Sequence, residues 1–410
     1  MAVEPEPTLD DDIVLPEHAS WSRHPIANWL VEHGGREIDL GRLLQEICQR
    51  LVATGLPLYR VNMGVRPMHP EVAARTVVWR RGEAGHVQVD HGYGMQLSDA
   101  YQNSPVRLVQ EGAAAFRRRL EGSGAVRDFP ILDELAELGV TDYVIMPLLF
   151  STGDTSFISW ASDRPGGFAT DQLSLLYDLL PLIALRVELE ASYQTRETLL
   201  STYLGREPAR RVLSGSIRRG QVESIRAAIW ISDLRAFTRM TDRLPSSSVI
   251  ALLNDYFDVL AEVVERNGGE ILKFLGDGLL AIFEEGTAAC DQCVGALSAA
   301  EQALATFDSV NRERAGEGQP EIRFGIGLHL GDVQFGNIGS RERLDFTVIG
   351  PAVNEAARVE ALCKVLDRRL LISAAFAEAA GLEGLVSLGF HALRGVSEPQ
   401  EIFAPDRDRD

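Results

Sequence analysis

The pattern of hydrophobic and polar positions alternates between helical and strand periodicity over residues 38–180. Apolar residues three and four apart over Leu40–Ala53 predict an amphipathic helix. Short β-rich runs predict strands, of which the last two are joined as a hairpin: Thr76–Arg80, Tyr143–Phe150 and Phe157–Ala161. A long helix is predicted to begin near Thr170. This mixture indicates an α/β domain.

A spacing of three and four residues then continues along the long helix. The positions that carry it are Leu182, Leu185, Leu189, Ser192, Arg196, Leu199 and Tyr203. Such a seam predicts a short parallel coiled coil between two copies of the chain, although Ser192 and Arg196 interrupt it. The alternative is a helix that lies on its own domain. Six arginines and two glutamates between Arg206 and Arg226 follow, and they are typical of a solvated surface.

From Ala227 onward the pattern becomes a regular succession of strands and helices. The predicted order is strand, helix, two hairpin strands, helix and strand: Ala227–Ser232, Ser246–Arg266 capped by its serines, Glu270–Leu275, Leu279–Phe283, Thr287–Val310 and Ile322–Leu330. A turn of the Asp-Gly type at residues 276–278 joins the hairpin strands. This βαββαβ order predicts a ferredoxin-like α+β domain.

Two carboxylates lie at the predicted strand ends, Asp233 after the first strand and Asp277 on the hairpin tip. If these strands are neighbours, both acids meet at one edge of the sheet. Hard oxygen ligands of this kind hold Mg²⁺ when substrate phosphates complete its coordination shell. Each residue also has a purely local explanation, since Asp277 is a common turn residue and Asp233 could cap a helix.

The charge, the cysteine count and the length of the apolar runs disfavour several classes of protein. The 410 residues contain 59 acidic and 40 basic side chains, for a net charge of −19, which disfavours nucleic acid as a partner. The four cysteines are too few for a disulfide framework, and Cys290 and Cys293 form an isolated CxxC without further metal ligands. The longest apolar run, Leu173–Val187, is interrupted by Asp178 and Pro181 and is too short for a membrane span. With no leader sequence evident, a cytoplasmic protein is expected.

These patterns resemble two known domain families. The order of elements around Met146-Pro147-Leu148, with a turn, a strand and a closing helix, resembles a GAF domain. The resemblance implies a sensor or dimerisation module and leaves a small-molecule ligand of that module open. The predicted domains are an acidic flexible segment (1–37), a GAF-like domain (38–180), a helical linker (181–224) and a catalytic domain (225–405).

The catalytic domain resembles class III adenylyl and guanylyl cyclases. The matching segments run Ile231-Ser-Asp-Leu-Arg-Ala-Phe-Thr238, Lys273-Phe-Leu-Gly-Asp-Gly278 and Phe346-Thr-Val-Ile-Gly-Pro-Ala-Val-Asn-Glu-Ala-Ala-Arg358. Between them, Gly325-Ile-Gly-Leu-His-Leu-Gly331 and Gly336-Asn-Ile-Gly339 also follow the family pattern. Several separated motifs in the same order imply the cyclase fold and its chemistry.

The resemblance assigns the metal site and the phosphate contacts. Asp233 and Asp277 match the residues that hold two Mg²⁺ or Mn²⁺ ions in each active site, with the carbonyl of Leu234 as a further ligand. The amides of Phe237 and Thr238 match contacts to the β- and γ-phosphates. Arg394 matches a basic residue near the end of the domain that contacts the triphosphate, although the family usually has Lys there.

The resemblance also assigns catalysis and base selection. Asn354 matches the residue that orients the ribose, and Arg358 the one that neutralises charge on the pentavalent phosphorus. Lys273, one of only two lysines beside 38 arginines, matches the residue that donates to N1 of adenine. Thr347 stands where many adenylyl cyclases have Asp, and its hydroxyl can accept from the 6-amino group.

The family takes its metal ligands from one catalytic domain and the Lys, Asn and Arg from a partner domain. A single domain with both sets therefore implies a homodimer with two shared sites, acting on ATP to form cyclic AMP and regulated by the N-terminal domain. A guanylyl cyclase and a catalytically silent nucleotide-binding or dimerisation module are the alternatives. A diguanylate cyclase is disfavoured because Gly268-Gly-Glu270 lacks the Glu-Phe that would follow.

Overall fold

The computed structural model describes residues 25–32, 39–284, 291–381, 384–396 and 398–406. The chain divides into two compact units, Met1–Leu199 and Leu200–Asp410. The predicted flexible segment 1–37 is wrong for residues 25–32, which form a helix whose Ile26 and Leu30 are buried in the core of the N-terminal unit. The rest of that segment lies outside the described residues, as does Cys290 of the CxxC. No described helix is both long and apolar enough to cross a membrane.

The N-terminal unit is built on a six-stranded antiparallel sheet. Its strands are β1 (Arg60–Val65), β2 (Val72–Arg80), β3 (Val87–Gly92), β4 (Phe116–Arg119), β5 (Asp142–Leu149) and β6 (Thr155–Ser162), in the order β3-β2-β1-β6-β5-β4. Its helices are α1 (Pro25–Glu32), α2 (Leu40–Ala53), α3 (Asp99–Gln102), α4 (Pro105–Gln110), α5 (Pro130–Glu137) and α6 (Thr170–Leu204). The α/β class, the helix over Leu40–Ala53 and the β5–β6 hairpin are confirmed.

One face of this sheet packs on α2 and α6, because both helices present a continuous apolar stripe to it. Leu44 and Ile47 of α2 and Leu176 and Ile183 of α6 are buried in the same cluster as Trp160 of β6. A second cluster around Leu132 and Tyr143 lies between the opposite face and α5. Helix α6 begins at Thr170 as the sequence predicts and continues without a break to Leu204.

The C-terminal unit is a mixed α+β domain around an eight-stranded sheet. Its strands are β7 (Val222–Leu234), β8 (Glu270–Leu275), β9 (Gly278–Glu284), β10 (Phe324–Gly339), β11 (Leu344–Ile349), β12 (Leu370–Ser373), β13 (Leu385–His391) and β14 (Gln400–Pro405). Its helices are α7 (Arg206–Leu213), α8 (Phe237–Thr241), α9 (Ser246–Arg266), α10 (Asp291–Gly316), α11 (Pro351–Val365) and α12 (Ala374–Ala380).

Four central strands run β10-β7-β9-β8, each antiparallel to the next, which is the ferredoxin-like arrangement that the sequence predicts, and β10 pairs in parallel with β12 on its other side. Helices α9 and α10 pack on one face through Tyr256 and Phe307, whereas α11 packs on the other through Ala352 and Ala356. Strand β11 pairs with the far part of β10, and β12 to β14 extend the sheet beyond β10.

Two local predictions were wrong. The serines at 246–248 do not cap α9, because Ser246 is already its first residue and Pro245 is the N-cap, with no side-chain hydrogen bond there. Strands β7 and β10 extend well beyond the predicted 227–232 and 322–330, since their ends pair with each other from Val222–Gly336 to Leu234–Phe324. Mutual pairing therefore extends both strands past their apolar runs.

Candidate active site

Asp233 lies near the end of β7, directly between two glycines of the neighbouring strands. It is paired with Gly278 of β9 on one side and Gly325 of β10 on the other. A Cβ atom on Gly278 would lie 2.6 Å from the Ser232 carbonyl and 3.1 Å from the Asp233 carboxylate. The missing side chain of Gly278 leaves room for the Asp233 carboxylate at this edge of the sheet.

Asp277 occupies the turn that connects β8 to β9. The turn differs from the predicted Asp-Gly type, because its two central residues are Gly276 and Asp277, and Leu275 pairs with Gly278. Gly276 has a φ of 71°, which glycine adopts without strain. Position 278 therefore needs glycine because a Cβ would clash with the neighbouring strand. Position 276 favours glycine because its φ is positive. Since Gly278 is opposite Asp233, the turn places Asp277 beside it, as the sequence predicts.

The two carboxylates repel each other. Partial burial, followed by the charge of Asp277, raises the pKa of Asp233 to about 6. Within the described part of the chain, neither acid forms a hydrogen bond or an ion pair with a basic side chain. Two adjacent carboxylates without a cationic partner are a donor set that fits a divalent cation whose remaining ligands come from substrate oxygens. Leu234, whose carbonyl is the third predicted ligand, follows directly as the last residue of β7.

A third carboxyl group that the sequence reading missed lies behind Asp233. A Cβ on Gly325 would be 3.0 Å from the Glu360 Oε1 atom, so the Glu360 side chain of α11 covers this glycine. Burial, with a further contribution from Asp233, raises the pKa of Glu360 to about 7. The sequence gives only an indirect indication of Glu360, because this residue comes near Asp233 only through the pairing of Gly325 with Asp233.

The predicted phosphate-binding amides belong to a short helix. Arg239 and Met240 donate their amides to the Ala236 carbonyl at 3.1 Å each, so the amides of Phe237 and Thr238 precede the internal hydrogen bonds of α8. Ala236 has a φ of 59°, a left-handed conformation that costs an alanine about 1 kcal/mol. Thr238 is exposed, whereas Phe237 packs partly into the core.

The two predicted base-selecting residues lie on facing strands. Lys273 is on β8, and its Nζ atom lies 3.3 Å from the Asp345 carboxylate of β11. Thr347, two residues further along β11, is only 5% exposed, and its hydroxyl has no hydrogen-bond partner among the described residues. Asp345 was missed in the sequence reading. The two-residue separation from Thr347 could have indicated it, since residues i and i+2 of a strand share a face.

The predicted catalytic pair lies on α11. Asn354 is exposed, and its amide group donates to the Gly350 carbonyl at 3.5 Å. Arg358, one turn on, extends toward the turn that follows Arg394, where a Cβ on Gly395 would lie 3.4 Å from its guanidinium. The structure therefore brings Arg358 and the Arg394–Gly395 turn together.

Gly325, Gly327 and Gly331 of β10 lie where helix α11 approaches the strand, and this approach explains their spacing. A Cβ on Gly327 would lie 2.4 Å from the backbone nitrogen of Glu360, and one on Gly331 would lie 2.5 Å from the Cβ of Ala352. Helix α11 therefore lies directly on the strand, and side chains at these positions would lift it. This close approach fixes the height of Asn354 and Arg358 above the sheet.

The cyclase resemblance divides the predicted site residues into two groups. Asp233 and Asp277 form the first, and Lys273, Thr347, Asn354 and Arg358 belong to the second. The C-terminal unit thus combines an α+β fold, a pair of acids without a basic partner among the described residues at one sheet edge, and a helix with Asn354 and Arg358 one turn apart.

Comparison with known families identifies the domain. Residues 221–377 match the family described as the adenylate and guanylate cyclase catalytic domain. This part of the chain is a class III cyclase catalytic domain, as its motifs indicate.

Individual relatives match part of the chain. An adenylate cyclase of Anabaena cylindrica is 36% identical over 162 residues, which are 38% of this chain and 31% of the relative. An uncharacterised protein of Mycobacterium tuberculosis is 35% identical over 209 residues, 50% of this chain and 36% of the relative. The chain thus spans about a third of the length of these curated relatives.

Solved cyclase structures are also similar. A bacterial light-regulated adenylyl cyclase has 21% identity and a TM-score of 0.48, covering 65% of this chain and 87% of the other. A guanylyl cyclase has 32% identity and a TM-score of 0.39, covering 44% of this chain and 92% of the other.

Proposed function

We propose that the chain is an adenylyl cyclase that converts ATP to 3′,5′-cyclic AMP and pyrophosphate. The observation that carries the proposal is the pair Asp233 and Asp277, adjacent and without a basic partner among the described residues, inside a cyclase catalytic domain. The relative from Anabaena cylindrica that bears the name adenylate cyclase supports the choice of reaction.

In the reaction, the ribose 3′-oxygen forms a bond to the α-phosphorus while the bond from that phosphorus to the β-phosphate oxygen breaks. Asp233, Asp277 and the Leu234 carbonyl would hold two Mg²⁺ or Mn²⁺ ions. When bound, such ions lower the pKa of the 3′-hydroxyl and offset charge on the triphosphate. The hydroxyl proton is released, and pyrophosphate leaves with the electron pair of the broken bond.

The remaining residues bind and orient the nucleotide. Asn354 fixes the ribose, and Arg358 offsets the negative charge that accumulates on the phosphorus in the transition state. Arg394 and the amides of Phe237 and Thr238 bind the departing phosphates. Lys273 donates to N1 of adenine while Thr347 accepts from the 6-amino group. The buried Thr347 hydroxyl without a partner supports this role, because such groups are costly unless a ligand satisfies them.

We propose that two chains share each active site as a head-to-tail homodimer. The motifs support this arrangement, because the cyclase resemblance implies metal ligands from one domain and Lys273, Asn354 and Arg358 from its partner. The seam of α6 supports it as well, because Leu185 is 63% exposed and Tyr203 is 79% exposed rather than packed on their own unit. A parallel pairing of α6 would cover both side chains.

We also propose that the N-terminal unit is a GAF-like sensor that regulates turnover. Its antiparallel sheet with α2 and α6 on one face supports the assignment.

A nucleotide assay tests the proposed activity. The purified chain with Mg²⁺ or Mn²⁺ is expected to form cyclic AMP from ATP much faster than cyclic GMP from GTP. Faster use of GTP would make it a guanylyl cyclase, the alternative that the family match leaves open. A folded dimer that forms neither product with either metal would instead be a silent binding module.

A further inference from the structure

The ammonium group of Lys273 has a defined anionic partner. Its Nζ atom lies 3.3 Å from Oδ2 of Asp345, across from β8 to β11. The Lys273 side chain is 31% exposed and that of Asp345 is 54% exposed. Exposed ion pairs contribute little to folding stability, so stability gives little reason for this pairing.

Asp345 and Thr347 lie on the same face of β11. The residues between and after them, Phe346 and Val348, point to the opposite face, where they are buried in the core cluster with Phe335. The Thr347 hydroxyl is buried and without a partner among the described residues. A buried unsatisfied hydroxyl on the same strand face as the ion-pair partner of an ammonium group indicates a ligand that supplies both an acceptor and a hydrogen-bonding group.

The position of the ammonium group decides which purine is accepted. Adenine offers an acceptor at N1 and a donor at its 6-amino group, whereas guanine offers a donor at N1 and an acceptor at O6. A lysine ammonium is a donor on a flexible four-carbon chain, so a free Lys273 could move between N1 of adenine and O6 of guanine. The Thr347 hydroxyl both donates and accepts and cannot discriminate alone.

We propose that Asp345 is a positioning residue that holds the Lys273 ammonium at the place where N1 of adenine binds, and that it thereby makes the site selective for ATP over GTP. This inference rests on the proposed function, because it requires a purine nucleotide in the site. Asp345 acts through Lys273 and does not touch the substrate. Its carboxylate accepts one of the three ammonium protons and leaves the others for the base.

The test compares the ratio of kcat/KM for ATP to that for GTP in four full-length chains. Asp345→Asn keeps the size of the side chain but removes its charge, and we expect the ratio to fall about tenfold, mostly through a higher KM for ATP. Asp345→Glu restores the ion pair and is expected to keep most of the preference. Asp332→Asn is the matched control, since it removes an exposed aspartate that pairs with Arg226 in the same domain.

A double-mutant cycle shows whether Asp345 acts through Lys273. In a chain with Lys273→Met, adding Asp345→Asn is expected to leave the ATP to GTP ratio unchanged. The proposal is overturned if Asp345→Asn leaves the ratio unchanged in the otherwise native chain. It is also overturned if the substitution has the same effect with and without Lys273. Thermal unfolding of each variant shows whether it is folded.

Binding measurements separate this inference from the proposed reaction. Dissociation constants for ATP and GTP are measured by calorimetry in the full chain carrying Arg358→Ala, with and without Asp345→Asn. If the native chain forms no cyclic nucleotide but Asp345→Asn still reduces the ATP to GTP preference in binding, the positioning role stands and the proposed activity fails. If the native chain is active but Asp345→Asn alters neither ratio, the activity stands and the positioning role fails. If neither nucleotide binds, both fail.

Discussion

Two aspartates, one in each unit, differ in whether the fold supplies hydrogen-bond and ion-pair partners for a carboxylate beside a sheet. Asp142 of the N-terminal unit is fully buried and accepts hydrogen bonds from the Arg117 guanidinium at 3.0 and 2.5 Å and from the Phe168 amide at 2.9 Å. Asp233 of the C-terminal unit is more exposed, yet burial and the negative charge of Asp277 raise its pKa, and no basic side chain pairs with it among the described residues. The first carboxylate is satisfied by the fold, whereas the second is left for a ligand.

The hydroxyl groups of two threonines, one in each unit, show the same contrast between a paired and an unpaired polar group. Thr141, next to Asp142, donates to backbone carbonyls of Ser162 and Arg164. Thr347 of β11 is buried and has no partner among the described residues. Polar groups that stabilise a fold are paired within it, and those that serve a ligand are incomplete without it. The contrast therefore distinguishes the paired Thr141 hydroxyl from the unpaired Thr347 hydroxyl.

The largest expected effect comes from removing each aspartate's charge. Asp233→Asn should reduce cyclase activity at least about a hundredfold, because it removes a predicted metal ligand. It should leave the free energy of unfolding unchanged or slightly higher, because it also removes repulsion from Asp277. Asp142→Asn should instead lower the free energy of unfolding by roughly 3 kcal/mol, since the partly buried Arg117 loses its counter-charge.

Denaturant unfolding and steady-state assays of both variants test this contrast. If Asp233→Asn destabilises the chain as much as Asp142→Asn, then Asp233 is a structural residue. If it leaves the activity intact, Asp233 does not hold an essential metal.

A smaller effect should follow from a side chain under α11. Gly327→Ala places a Cβ where the Glu360 backbone nitrogen lies, so we expect a loss of roughly 1–3 kcal/mol and a clear loss of activity as Asn354 and Arg358 move. Gly316→Ala at the end of α10 is the matched control, because no atom lies within 4 Å of its Cβ position. Activity and urea unfolding are measured on both. An active Gly327→Ala chain would contradict the role of these glycines in setting the catalytic helix.

The smallest expected effect is a dependence of stability on pH in the C-terminal unit. Burial lowers the pKa of His329 to about 4, and its ring lies 2.9 Å from the Ser373 hydroxyl and 3.7 Å from Glu355. A histidine whose pKa is lower in the folded chain contributes its full stability above the ordinary value near 6.5 and loses it as the pH falls toward 4. The loss between pH 6.5 and 4.5 should be roughly 2 kcal/mol.

Replacing the imidazole tests the assignment. His329→Gln should reduce this pH dependence, measured as the difference between the two chains in urea unfolding at each pH. Identical pH profiles for both chains would show that another group is responsible.

Much of the fold could be predicted because local pattern and final structure agree. The helix at Leu40–Ala53, the start of α6 at Thr170 and the four central strands of the catalytic domain follow from periodicity alone. Strands β11 to β14 were not predicted, because they are short and depend on pairing with β10 and with one another. The capping of α9 also escaped prediction, because three serines fit the pattern of a cap even though Pro245 occupies that position.

Some residues of the candidate site could likewise be predicted from the sequence, and others could not. Asp233, Asp277 and Lys273 lie in short contiguous motifs and could be named from the sequence. Asp345 and Glu360 could not, because Asp345 meets Lys273 from a strand 72 residues away and Glu360 reaches Asp233 only across a glycine. Residues that act through tertiary contacts leave little local signal in one sequence.

Complementation between inactive chains tests the shared-site account most directly. Homodimers of Asp277→Ala and of Arg358→Ala should each be inactive, whereas mixing them should restore about a quarter of native activity, because half the dimers then contain one intact site of two. Mixing Asp277→Ala with Asp233→Ala should restore nothing, since every site then lacks an acid. Failure of the first mixture after verified subunit exchange, or equal recovery in the second, would contradict the account.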